Sequence, residues 1–60
     1  MVHPFDILKV GDDGKTQFLE AAPTLDAARA RVKELAALRG GTYQIYSHIT
    51  GIFSLVKLDH

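Results

Sequence analysis

Apolar residues recur along this chain in two rhythms, and glycine marks each change of rhythm. From Thr24 to Arg39, Leu25, Ala28, Val32, Leu35 and Ala36 return at intervals of three and four. That is the stripe of an amphipathic helix, with Asp26, Arg29, Lys33 and the Arg31/Glu34 pair elsewhere on the cylinder. The alanines keep the stripe shallow, so the helix can lie close to a sheet. The Thr24 hydroxyl can accept a free backbone N–H one turn on, and Asp26 sits at the positive end of the helix dipole. Arg39 before Gly40-Gly41 places a cation at the negative end and a glycine where the closing residue must be left-handed.

On either side of the helix the rhythm shortens to that of strands. Phe5 to Val10 is a short apolar run with a polar residue on each face, bounded by Pro4 and by Gly11-Asp12-Asp13-Gly14. Lys15 to Ala21 carries Phe18 and Leu19, so Asp12 to Gly14 reads as a hairpin turn that allows a bulge at a glycine. After the helix, Thr42 to Ser47 alternates, with Tyr43 and Ile45 on one face and Gln44 and Tyr46 on the other. His48-Ile49-Thr50-Gly51 is a tight connection, and Ile52 to Leu58 returns as the most apolar strand in the chain.

Strand, strand, helix, strand, strand has one economical arrangement. It is a two-layer α+β domain spanning residues 1–60: a four-stranded antiparallel ββαββ sheet with the helix on one face. A right-handed crossover that skips one strand gives the order second, first, third, fourth. The order second, first, fourth, third is the alternative, and it would bury the last strand.

One helix covers one face, yet large apolar groups stand on both parities: Ile7 against Leu8, Tyr43 and Ile45 against Tyr46, Val56 against Phe53 and Leu55. An antiparallel sheet with a solvated face would alternate cleanly, and this one does not. Tyr46, Phe53 and Leu55 are therefore the candidate interface residues, and a homodimer is the expected way to cover them, through the face or through the edge of the last strand.

Composition narrows the function further. A 60-residue domain leaves about 40% of its unfolded surface exposed, and small folds compensate with disulfides, a metal or an oligomer. With no cysteine the first route is closed and zinc loses its commonest ligand, which leaves association. The cysteine-free chain also suits a cytoplasmic, reducing setting. Seven basic and seven acidic residues cancel, so no overall field draws in nucleic acid or an anionic membrane, and no segment has the length of a membrane span.

Motifs of chemistry are absent on inspection. Gly14-Lys15-Thr16 resembles the end of a phosphate loop, but Lys9 stands where the earlier glycine belongs, and a strand follows instead of a helix. Asp12-Asp13-Gly14 lacks the alternating ligands and closing glutamate of a calcium loop. His3, His48 and His60 have no metal-site spacing. Ser54 could approach His48 across the second hairpin, but no third group is evident to orient the imidazole. No enzyme activity, cofactor, metal or small-molecule ligand is expected.

The Thr-Leu-Asp-Ala-Ala-Arg helix start at Thr24 to Arg29, with the later hairpin of Tyr43, Ile45, Thr50 and Gly51, resembles short bacterial proteins of ββαββ layout with no assigned function. The resemblance implies a capped helix and a glycine-closed turn and transfers no catalytic residue. The expected function is a homodimeric protein-interaction or structural module. One alternative is a nucleic-acid-binding module, with Arg29, Arg31, Lys33 and Arg39 beside the sheet aromatics; another is an accessory or regulatory subunit of an enzyme.

Overall fold

The computed structural model describes residues 3–56 and contains β1 (Phe5–Val10), β2 (Thr16–Ala22), α1 (Leu25–Arg39), β3 (Thr42–Ser47) and β4 (Phe53–Val56). The strands form one antiparallel sheet in the order β2-β1-β3-β4, the first of the two expected orders. The last strand was expected to run from Ile52 to Leu58; Lys57 and Leu58 lie outside the described residues.

Local chemistry sets the ends of each element. In the first hairpin Gly14 takes φ 81°, its N–H donates to the Gly11 carbonyl at 2.9 Å, and the Asp13 carboxylate accepts from the Lys15 N–H at 3.0 Å. The Asp-rich stretch is a turn that satisfies its own backbone. Thr24 is extended, and its hydroxyl accepts from the Ala27 N–H at 3.1 Å, capping α1. At the other end Gly40 takes φ 66° and returns its N–H to the Ala36 carbonyl at 2.7 Å.

The helix stripe packs as its spacing requires. Ala28, Val32, Leu35 and Ala36 are buried against Ile7, Tyr43 and Ile45 of the sheet, and Val32, Ile7 and Ala28 have no exposed surface. Small alanines let the helix approach, and the larger Val32 and Leu35 fill the space between strands. The Tyr43 hydroxyl satisfies itself by donating to the Gly40 carbonyl at 3.0 Å.

A bulge does occur, but in mid-strand and not at a turn glycine. Ile7 faces Glu20 while Leu8 faces Phe18, leaving Leu19 as the extra residue of β2. Leu19 packs on the core, and Glu20 pairs with Arg31 of α1. Arg31 also reaches Glu34 at 3.0 Å. The hydrogen bond that Arg31 donates to Glu20, followed by the one it donates to Glu34, holds the guanidinium above its ordinary pKa.

Candidate interaction surface

Cross-strand register decides which side chains share the uncovered face. Directly opposed residues of an antiparallel pair project to the same side. Asp6 stands opposite Tyr46, and Tyr46 opposite Phe53; Leu8 stands opposite both Phe18 and Gln44, and Gln44 opposite Leu55. With Ile7, Tyr43 and Ile45 buried under α1, these residues all emerge on the far side of the sheet.

All three candidate residues are therefore brought together. Phe53 and Leu55 are 58% and 54% exposed, and Tyr46 is half-buried between them and the turn. The Tyr46 and Phe53 rings lie 4.6 Å apart at a tilt of 44°. Phe18, 55% exposed, extends the apolar surface to the opposite border. Its place follows from the register that runs from the first turn, in which Thr16, Gln17 and Phe18 stand opposite Val10, Lys9 and Leu8; the bulge then moves Glu20 from opposite Asp6 on the outer side to opposite Ile7 on the helix side. Neither Leu19 nor Glu20 is a residue that signals a bulge, so sequence reasoning had no mark to find.

A polar group accompanies this surface. His48 Nε2 lies 2.7 Å from Asp6 Oδ2, and its ring meets Tyr46 edge-on at 4.8 Å. The His48 backbone N–H donates to the Pro4 carbonyl at 2.8 Å, fixing the turn against the start of β1. Asp6 supplies the orienting group that the sequence did not reveal. Ser54, however, stands opposite Ile45 on the helix side, so the sheet separates it from the imidazole. The arrangement holds a turn in place and brings no hydroxyl to the histidine.

Other chemistry is distributed elsewhere. Gly14-Lys15-Thr16 leads into β2, with no helix N-terminus behind it. Lys9 and Arg39 line a polar cleft of about 380 Å³ with Asp12 and Thr42, near the C-terminal end of α1. Among the described residues no group of three or more His, Asp or Glu side chains is placed to hold a metal ion, and no helix is long and apolar enough to cross a membrane. Compared with family models, curated proteins and solved structures, the chain matches none of them.

Proposed function

We propose that this chain is a small protein-interaction module that works as a homodimer, with an association surface centred on β4 and on the sheet face opposite α1. The observation that carries the reading is the exposure of Phe18, Phe53 and Leu55 on one face, each by more than half, beside Leu8 and Tyr46. Burying four or five such groups gains about 1.5–3 kcal/mol each before the costs of association are subtracted. That gross gain is comparable with the whole stability of a small domain. A cytoplasmic setting goes with this reading, since a cysteine-free chain gains nothing from an oxidising compartment.

One observation favours a second reading. Tyr46 and Phe53 share a face, as in platforms on which bases stack. Charge supports the first reading over the second. Lys9 stands opposite Tyr43, on the helix side of the sheet, and Arg29, Lys33 and Arg39 belong to the helix layer. Among the described residues, the charged group directly opposite Tyr46 is the carboxylate of Asp6, which repels phosphate. A protein surface suits this face better than a nucleic acid strand, and a second copy or the surface of an enzyme subunit would satisfy it.

Sedimentation equilibrium across the micromolar range is the test. A mass of twice the monomer supports the proposal, and a single monomeric species throughout rejects it. Titration with mixed single-stranded oligonucleotides at low salt separates the second reading, which requires salt-sensitive binding.

A further inference from the structure

The two borders of the sheet are not equivalent. β2 carries the Leu19 bulge, and its Glu20 side chain is engaged by Arg31. β4 pairs with β3 in unbroken register and, among the described residues, has no neighbour on its other side. α1 packs on β1, β2 and β3. Toward β4 the helix side opens into an apolar groove of about 330 Å³ whose lining includes Leu25, Ile45, Ile49, Ile52 and Ser54. Ile49 and Ile52 are 73% and 61% exposed beside it.

Hydrogen-bond direction along β4 follows from the hairpin. The Ser47 N–H donates to the Ile52 carbonyl at 3.0 Å, which makes Ser47 and Ile52 a hydrogen-bonded pair. Hydrogen-bonded and non-hydrogen-bonded pairs alternate along an antiparallel ladder. Ile45–Ser54 is then hydrogen-bonded, whereas Tyr46–Phe53 and Gln44–Leu55 are not. The N–H and C=O groups of Phe53 and Leu55 consequently point to the open border, and those of Ser54 point inward to Ile45.

We propose that the open border takes a second copy of this chain, β4 pairing antiparallel with β4 about Ser54. This rests on the homodimer reading and specifies its seam. A two-fold axis through such a pair stands normal to the sheet and preserves faces, so opposed residues must share a parity and the axis must pass beside a residue. Centring on Ser54 uses both outward-pointing residues completely. Phe53 of each copy exchanges two backbone hydrogen bonds with Leu55 of the other, four in all.

The side chains agree with that register. On the outer face Phe53 meets Leu55 twice, continuing the apolar surface across the seam. On the helix side Ile52 meets Val56 twice at the groove, and the two Ser54 hydroxyls meet at the axis. The segment Ile-Phe-Ser-Leu-Val thus places apolar opposite apolar and hydroxyl opposite hydroxyl when read against itself. Centring on Phe53 would oppose Leu55 to Gly51 at the turn. Both helices end on one side and the two uncovered faces form one surface on the other, so the seam covers Phe53 and Leu55 of each copy along their shared flanks and leaves Leu8 and Phe18 on the open face.

A single thiol tests the seam, because the chain has no cysteine of its own. At the axis Ser54 is a non-hydrogen-bonded pair with Cα atoms about 4.5 Å apart, inside the range of about 4.4–6.8 Å that a disulfide spans. Mild oxidation of Ser54→Cys should give mostly covalent dimer, while Thr16→Cys on the β2 border should stay mostly monomeric. Leu55→Pro removes an N–H that faces the border and not β3, so it should weaken dimerisation at least tenfold with an unchanged far-ultraviolet circular dichroism spectrum. If the native chain is dimeric but Ser54→Cys cross-links no better than Thr16→Cys, or Leu55→Pro dimerises normally, this seam is wrong and the homodimer stands. If the native chain is monomeric throughout, both readings are overturned.

Discussion

Tyr43 and Tyr46, three residues apart on β3, stand on opposite faces of the sheet. Tyr43 is 1% exposed under the helix and donates its hydroxyl to the Gly40 carbonyl, while Tyr46 meets Phe53 and His48 on the open side. The two hydroxyls should therefore respond differently to removal. Tyr43→Phe is expected to cost about 0.5–1.5 kcal/mol in urea unfolding, the net value of a hydrogen bond whose acceptor loses its partner. Tyr46→Phe should leave stability within about 0.5 kcal/mol of the native chain.

The helix contact carries the core. Val32 is fully buried and Leu35 nearly so, and both truncations leave a cavity between α1 and the strands. Leu35→Ala is expected to cost about 2–4 kcal/mol, with Val32→Ala near the lower end because less volume is removed. Thermal unfolding followed by circular dichroism measures both. Little change in either midpoint would mean that the helix contributes less to the core than its burial indicates.

Phe53 offers the opposite case. More than half of its surface is exposed, and its cross-strand neighbour Tyr46 is on the same open face. Phe53→Asp should keep the circular dichroism spectrum of the native chain. It should weaken self-association by about tenfold to a hundredfold, corresponding to about 1.5–3 kcal/mol of lost apolar burial. A collapse of secondary structure in this variant would place Phe53 in the fold's own core.

The Asp6–His48 contact joins the first strand to the second hairpin across 42 positions of sequence. The His48 side chain is 47% exposed and that of Asp6 24%, so solvent screens the pair substantially. A double-mutant cycle with Asp6→Ala and His48→Ala should give a coupling of about 0.2–1 kcal/mol. A coupling indistinguishable from zero would leave the backbone bond from His48 to Pro4 as what holds the turn.

How far the chain could be read in advance depended on the range of the interaction. Thr24, Asp26 and Gly40 act within one helical turn, and the three-and-four spacing of Leu25, Ala28, Val32 and Leu35 fixes the buried face, so the helix and its ends were legible. The alternation of β3 separated Tyr43 and Ile45 from Tyr46 correctly. In β1 apolar residues occupy both parities, and only the register with β3 shows that Ile7 is inside and Leu8 outside. The facing of Glu20 was out of reach because it depends on a bulge formed by ordinary strand residues. Asp6 as the partner of His48 was equally hidden, since topology alone brings them together.

The Leu19 bulge has one more consequence, for the size any assembly can reach. A sheet with two straight, pairable borders can recruit copies at both ends and grow into a filament. Here the β2 border is kinked by its surplus residue, so copies joined at β4 leave only kinked borders outermost. On the proposed seam, growth would stop after a single joining event, and a greasy docking strand would carry no hazard of polymerising into fibres through the other border.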